Sequence, residues 1–343
     1  MVPSVVLTET NALQTLEASL VTLIAPVRNE ADSLLDFLES IARQTVRPSE
    51  IIIADGGSVD GTKALIREFF AANSSVRLIE DSDAFPGRAR NLAIENAQTD
   101  WIAMTDAGTV LEPDWLENLL RPAARDREVD AVLGSYEPIL SSFLQECLAL
   151  AFVPPARPMG DSYLRGPSTA SLLIKKSVWN ELGRFPEHLR ACEDLIFFAK
   201  LNSASKRVAF APRAVVRWNI PSNAAGVFRR FRAYSLYTLK AGLGRQWHLA
   251  VGRMYLVGTV LLGLAVFHHW GWLLLLLAGL VLRVHRTIRA RRPSLKLTHT
   301  IGPHAYLVVG IILVWIDLAA FVGFVDYLFK GRLDDRNAFS ENV

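Results

Sequence analysis

Two hydrophobic textures alternate over the first part of the chain: short apolar runs, and stretches where apolar residues recur every three or four positions. Leu20–Ala25 is a run of the first kind and reads as a buried strand. Leu34, Leu35, Phe37, Leu38 and Ile41 share one helical face, so Glu30–Gln44 reads as an amphipathic helix. Glu50–Ala54, Val76–Glu80 and Trp101–Thr105 repeat the strand pattern, and Thr62–Ala71 and Gly87–Asn96 read as helices between them. Alternating strands and helices require crossover connections. The expected fold is therefore α/β, a mostly parallel sheet with helices on both faces. Open sheets of this kind bind ligands beyond the carboxyl ends of their strands, here the loops after Ala25, Ala54 and Thr105.

Beyond residue 222 the pattern changes. Phe228–Leu243 mixes Arg229, Arg230, Arg232 and Lys240 with Phe231, Tyr234 and Tyr237, the makeup of a helix lying in a headgroup layer. Residues 251–267, 270–284 and 305–329 are apolar runs, and a membrane span needs about 20 residues. One helix through the first two runs would bury His268 and His269 and leave Arg283, Arg286, Arg289, Arg291, Arg292 and Lys296 on the far side. Basic loops stay cytoplasmic. A tight hairpin meets both constraints, so three membrane segments are expected. The predicted organisation is a lead-in over 1–19, an α/β domain over 20–222, a basic interfacial segment over 223–248, a membrane region over 249–330 and a tail over 331–343.

Composition sharpens this division. The chain is 51% hydrophobic and 21% charged, too apolar for disorder, and Cys147 and Cys192 are too few for a disulfide scaffold. From Ser222 onward 15 Lys and Arg face 5 Asp and Glu, whereas the first 221 residues hold 22 against 29. An acidic soluble part is followed by a basic one suited to anionic lipid or phosphate. Its charges flank long apolar runs, which argues against a nucleic-acid partner. The first basic residue is Arg28, so no export signal is expected, and the α/β part is expected on the cytoplasmic side.

The chemistry-bearing residues cluster in those strand-end loops. Pro26-Val27-Arg28-Asn29-Glu30 links a strand to a helix, as does Asp55-Gly56-Gly57-Ser58-Val59-Asp60-Gly61-Thr62. Glycines let backbone approach a ligand closely, and carboxylates at strand tips accept hydrogen bonds from base N–H groups or ribose hydroxyls. A turn with an N-cap accounts for the second stretch equally well, and it is no P-loop, since no Gly-Lys-Ser/Thr follows. Asp106-Ala107-Gly108 comes next, with a carboxylate able to hold a divalent cation against a diphosphate. Glu193-Asp194 opens a helix, where paired acids also serve as simple dipole partners. Ser168, Thr169 and Ser171 are acceptor-site candidates or a polar strand edge, and Arg217-Trp218 is a pocket pair or packing.

Taken in order, Pro-x-Arg-Asn-Glu, Asp-Gly-Gly-Ser-x-Asp-Gly-Thr, Ala-Arg-Asn, Thr-Asp-Ala-Gly and Glu-Asp resemble the family 2 glycosyltransferases over roughly residues 20–220. The resemblance implies a GT-A fold and a nucleotide-diphosphate sugar donor. It implies Pro26, Arg28 and Glu30 in the nucleotide pocket, Asp55 on the base, and Arg88 or Arg90 near the base or phosphates. Asp106 matches the first carboxylate of the family's Asp-x-Asp metal motif, and Asp194 matches the general base of the Glu-Asp motif, with Glu193 beside it. The implied enzyme is membrane-attached and inverting. It would use Mg²⁺ or Mn²⁺ and transfer to a lipid-linked or glycan acceptor at the cytoplasmic face of the inner membrane, among membrane lipids.

One position departs from that pattern: Gly108 stands where Asp-x-Asp has its second acid. Asp106 then binds a cation with diphosphate oxygens and waters, a mixture Mg²⁺ accepts, or the metal matters less. Arg229, Arg230 and Arg232 loosely resemble the interfacial Arg-rich motif of membrane-bound relatives, without its Gln and Trp, and serve as a phosphate clamp or a headgroup anchor. Three alternatives stand beside the transferase: a membrane-anchored nucleotide-binding scaffold, a polyprenyl-phosphate glycosyltransferase, and a transporter, for which Asp317 and Asp326 alone make a poor pathway.

Overall fold

The first strand alternates its side chains between two cores. In β1 (Val21–Val27), Leu23 and Ala25 join one buried cluster while Ile24 joins the other, and all three are fully buried. A strand buried on both faces needs a layer on each side. The structure, a computed structural model, describes residues 21–71, 75–221 and 223–330. The expected lead-in over 1–19, Leu20 at the head of the first strand and the tail over 331–343 lie outside the described residues.

The chain divides into two units, residues 1–139 with 156–219 and residues 140–155 with 220–343. In the first, β1 is followed by α1 (Leu34–Ala42), β2 (Glu50–Asp55), α2 (Thr62–Phe69), β3 (Val76–Glu80), α3 (Pro86–Asn96) and β4 (Trp101–Met104). Then come β5 (Thr109–Leu111), α4 (Trp115–Arg125) and β6 (Ala131–Ile139), and, after the excursion into the second unit, the hairpin β7 (Arg157–Met159) and β8 (Ser162–Leu164). The excursion carries α5 (Phe143–Phe152), and the first unit closes with β9 (Leu172–Lys175), α6 (Lys176–Glu181), α7 (Glu193–Ser203) and β10 (Val208–Asn219).

The main sheet runs β3-β2-β1-β4-β9-β6-β10-β5. Its first four strands are parallel, while β9 is antiparallel to both β4 and β6, and β5 is antiparallel to β10. The sheet is thus mixed beyond β4. The parallel part carries the motif loops, because β1, β2 and β4 end at the same edge. The chain steps outward from β1 to β3 and returns to the other side of β1 at β4, the switch point where such sheets open a crevice. On one face Phe37, Leu38, Trp115 and Leu119 pack against the sheet, and on the other Ala93, Ile94, Trp179 and Phe197 do.

The second unit is helical: α5 (Phe143–Phe152), α8 (Ala224–Lys240), α9 (Gly244–Phe267), α10 (Trp272–Arg291) and α11 (Pro303–Lys330). The sequence reading ran the α/β domain unbroken to 222, but α5 groups with these helices. Buried Glu146 accepts from the N–H groups of Thr298 and His299 at 2.8 and 3.1 Å, and the Val153 carbonyl accepts from Arg291 at 2.7 Å. The basic segment expected at an interface is also tied down. Val227, Ser235, Leu236 and Tyr237 of α8 are buried, and a Cβ at Gly323 of α11 would lie 2.3 Å from the Arg232 carbonyl oxygen, so the two helices approach closely.

Among the described residues two helices are long and apolar enough to cross a membrane, Trp247–Phe267 and Pro303–Phe329, the first with none of its apolar window buried. Of the three expected segments, 270–284 falls from Trp272 onward in α10, which continues past it through Arg286 and Arg289 to Arg291. Residues His268–Gly271 join α9 to α10.

Candidate active site

Asp55 ends β2 and is 1% exposed. Its Oδ1 accepts from the N–H groups of Gly57 and Ser58 at 3.0 and 2.9 Å, which closes the turn. Its Oδ2 is sealed from solvent and has no hydrogen-bond partner. A buried acceptor left in this way is a candidate for a ligand's N–H. The wall beside it leaves no room for side chains: Cβ atoms at Gly56 and Gly57 would each meet a carbonyl oxygen at 2.5 Å, from Ala84 and Ser82. Gly57 also has φ +87, which favours glycine.

Asp106 follows β4, with its side chain 38% exposed. It meets Arg90 of α3, whose Nη2 donates to Asp106 Oδ1 at 2.7 Å and whose Nη1 donates to Glu193 Oε1 at 2.5 Å. One buried guanidinium thus binds carboxylates 16 residues ahead of it and 103 residues ahead of it in sequence. Glu193 and Asp194 form the first turn of α7, where the helix dipole favours acids, and Cys192 before them has a left-handed φ of 69°.

The electrostatics of this group are a contest between burial and one cation. Burial pushes the Asp194 carboxyl up, the Arg90 charge pulls it back, and the balance stays above the usual aspartate range. Glu193 is likewise raised, by burial and by the charge of Asp194, against Arg90. For Arg90 burial favours the neutral form, but the carboxylates of Asp106 and Glu193 outweigh it, so the guanidinium stays charged. A recessed carboxyl with a raised pKa suits a general base better than an ordinary one.

The other sequence candidates are placed as follows. Pro26 lies within β1 opposite Ala54, Arg28 is exposed, and Glu30 is half-buried, with Oε2 accepting from Ser33 Oγ at 2.7 Å. Arg88 is exposed and paired with Asp81 at 2.7 Å and Glu187 at 3.3 Å. In the second unit Arg229 is exposed on α8 and Arg232 is paired with Asp326 of α11. Ser171 Oγ accepts from the Trp115 indole at 2.8 Å, Ser168 Oγ caps the N–H of Ala170, and Arg217 pairs with Glu112.

Sequence reasoning had no role for Asn91. Its Oδ1 accepts from the Phe185 N–H and the Trp179 indole, and its Nδ2 donates to the Phe185 carbonyl and to Glu187. A polar residue at a buried helix position, next to another such residue, was the available signal.

A cation at this edge would find Asp106 but no protein cage. Among the described residues no cluster of three or more His, Cys, Asp or Glu could hold a metal ion. A Cβ at Gly108 would lie 3.4 Å from both carboxylate oxygens of Glu30, so negative charge already borders the position of the missing acid. The residues fit a cation that takes one carboxylate and completes its shell with diphosphate oxygens and water.

Residues 22–147 match the family model described as glycosyl transferase family 2. The chain is 28% identical over 208 residues to glycosyltransferase AglE of Haloferax volcanii, covering 56% of this chain and 64% of that one. It is 29% identical over 208 residues to the O-antigen chain rhamnosyltransferase RfbN of Salmonella typhimurium, covering 57% and 65%. Both alignments therefore span less than two thirds of the relatives' own length. Among solved structures it resembles mannosyltransferase PcManGT from Pyrobaculum calidifontis in complex with GDP-Man and Mn²⁺, at TM-score 0.53 and 17% identity, over 94% of this chain and 96% of that one. At that identity the likeness is one of fold.

Proposed function

We propose that the chain is a family 2 glycosyltransferase with a GT-A fold, a reading supported by the family match over residues 22–147 and by the relatives and fold likeness above, and that it transfers a sugar from a nucleotide-diphosphate sugar to a lipid-linked or glycan acceptor, inverting its configuration. The observation that carries this reading is the convergence of Asp106, Glu193 and Asp194 around Arg90, at the sheet edge where β2 also ends in Asp55. Asp55 would receive a base N–H on its unpartnered oxygen. Pro26, Arg28 and Glu30 would border the nucleotide.

In the reaction, the Asp194 carboxylate would take the proton of the acceptor hydroxyl. The freed oxygen pair attacks the anomeric carbon while that carbon's bond to the diphosphate oxygen breaks, and its electrons leave with the nucleoside diphosphate. General-base assistance of this kind contributes about 10²–10⁴-fold. A divalent cation, Mg²⁺ or Mn²⁺, would be held by Asp106 and would neutralise charge on the diphosphate. The GDP-Man and Mn²⁺ bound by the Pyrobaculum mannosyltransferase support the donor class and the cation.

Membrane attachment is part of the proposal. It rests on the two long apolar helices, Trp247–Phe267 and Pro303–Phe329, and on the arginines closing α10, which favour the cytoplasmic side for that end. The exposed apolar helix also favours a second reading of the acceptor as a lipid phosphate. Such an acceptor is already ionised and needs no base.

One variant separates these readings. Asp194→Asn is expected to abolish transfer to a sugar hydroxyl while nucleotide binding, measured by calorimetry, stays near wild type. Near-wild-type turnover would move the acceptor to a phosphate. A wild-type protein that releases no nucleoside diphosphate from any donor, with or without Mg²⁺ or Mn²⁺, would leave only a nucleotide-binding scaffold.

A further inference from the structure

We propose that Arg90 is a positioning residue, which holds the helix start bearing Glu193 and Asp194 against the loop after β4 that bears Asp106, from inside the fold. The inference rests on the reading of Asp194 as base and of Asp106 as a donor-side group. Family resemblance suggested a role at the base or phosphates, yet the Arg90 side chain is only 5% exposed. Its two terminal nitrogens already donate to Asp106 and Glu193, and its Nε is sealed from solvent without a partner. A diphosphate could reach the Arg90 terminal nitrogens only by displacing the two carboxylates they already bind.

The remainder of α3 touches the segment that leads into this helix start. The Arg90 guanidinium carbon lies 5.7 Å from the centre of the Phe185 ring, and that ring stacks on Phe197 of α7 at 4.3 Å. Asn91 binds both the N–H and the carbonyl of Phe185, at 3.1 and 2.9 Å. A Cβ at Gly87 would lie 2.2 Å from the Pro186 carbonyl oxygen and 3.4 Å from Glu193 Cβ. Gly87, Arg90 and Asn91 therefore grip the segment 185–193 on one side of the helix, and only Arg90 reaches across to Asp106.

The guanidinium suits this task because it is planar and presents two N–H groups at a fixed angle to two separate carboxylates. Without it, Asp106, Glu193 and Asp194 would share a recessed space with no cation, and their repulsion would widen the distance the reaction must cross. A displacement of about 1 Å at such a centre costs about 10²-fold in rate.

The test uses the full chain in detergent, with Arg90→Met and Arg90→Lys compared with wild type. Binding of UDP and GDP is measured by calorimetry with and without Mn²⁺, and turnover by nucleoside diphosphate release from a panel of UDP- and GDP-sugars. For Arg90→Met the expected result is a kcat lower by about 100-fold with the nucleotide Kd changed by less than about threefold. Arg90→Lys, which keeps the charge without the fork, should recover about tenfold of that loss. Asn91→Ala loosens the same segment without altering charge. It should show the same split between kcat and Kd, and it carries the test should Arg90→Met fail to fold.

A Kd weakened about 30-fold or more with kcat retained would overturn the proposal and make Arg90 a phosphate ligand. Unchanged kcat in all three variants would overturn it as well. If wild type binds neither nucleotide and turns over no donor, the transferase reading falls first and the proposal falls with it.

Discussion

The backbone N–H of Asn29 donates to the hydroxyl of Ser58 at 2.9 Å, and this bond ties the loop after β1 to the loop after β2. Three others run beside it. The Val59 N–H donates to Asn29 Oδ1 at 2.9 Å, the Glu30 N–H to Thr62 Oγ1 at 2.9 Å, and the Ala31 N–H to Asp60 Oδ2 at 3.2 Å. The small polar residues of the Asp55–Thr62 stretch thus hold the neighbouring loop in place, and the acid that begins it keeps one oxygen for something else.

Asn29 adopts φ 53°, a left-handed conformation that asparagine tolerates better than alanine does. Asn29→Gly and Asn29→Ala both lose the bond to Val59, but only alanine adds a conformational cost of about 1–2 kcal/mol. The alanine variant should therefore melt below the glycine variant, by about 2–4 °C for each kcal/mol. Thermal unfolding followed by circular dichroism decides it. Equal melting temperatures would mean that the loop leaves the left-handed region when the side chain is lost.

The raised pKa of Asp194 has a kinetic and a thermodynamic consequence. A protonated carboxyl cannot act as base, so transfer should fall on acidification with a midpoint above the aspartate reference value of 3.8. Folding also strengthens proton binding at this group, so its contribution favours the fold at low pH and is lost as pH rises from the unfolded pKa through the folded one. Asp194→Asn should then raise the melting temperature at about neutral pH, with the gain shrinking toward about pH 4. A variant less stable than wild type at neutral pH would show that the ionised carboxylate is a net stabiliser.

How much of this was legible in the sequence depended on range. The parallel half of the sheet could be read from Val21 to Met104, because strand and helix periods are local and the glycine-rich loops mark their junctions. The antiparallel insertion of β9 between β4 and β6 could not, since the Leu172–Lys175 run carries no record of its partners. Asp55, Asp106 and Asp194 stand out as candidates in the sequence because Asp55 ends a strand, Asp106 follows one and Asp194 lies in the first turn of a helix. The junction of Arg90 with Glu193 spans 103 residues, and no periodicity carries that information. That Leu140–Pro155 groups with the helical unit is not legible for a related reason: a short apolar helix looks the same whether it covers a sheet or packs on other helices.

Gly108 offers a test of the electrostatics beside Asp106. The Cβ of any new side chain there would lie 3.4 Å from both Glu30 oxygens, a contact the neighbour must yield to slightly. Gly108→Asp restores the second acid of Asp-x-Asp but sets a carboxylate against Glu30, whereas Gly108→Asn adds the same bulk without the charge. In metal-free buffer the Asp variant should melt lower than the Asn variant. Added Mn²⁺ should raise it more, because an ion bound only by the folded state stabilises by mass action. The same Mn²⁺ response in both variants would place position 108 outside the reach of a cation.

The helical unit contains a separate ionic arrangement. Arg283 of α10 donates to both oxygens of Asp317 on α11, at 2.5 and 2.9 Å, and the Tyr255 hydroxyl of α9 donates to Asp317 at 2.9 Å. Asp317 is 4% exposed, so three helices meet on one buried carboxylate. Removing one partner of such a pair leaves the other charge uncompensated and costs about 3–5 kcal/mol, while replacing both with apolar groups is close to neutral. Asp317→Leu alone should therefore lower stability sharply in a detergent unfolding titration, and Arg283→Leu with Asp317→Leu should recover most of the loss. If the double variant were as unstable as the single one, the pair would be fixing the helix arrangement through geometry that apolar side chains do not reproduce, and Tyr255→Phe should then also destabilise the unit.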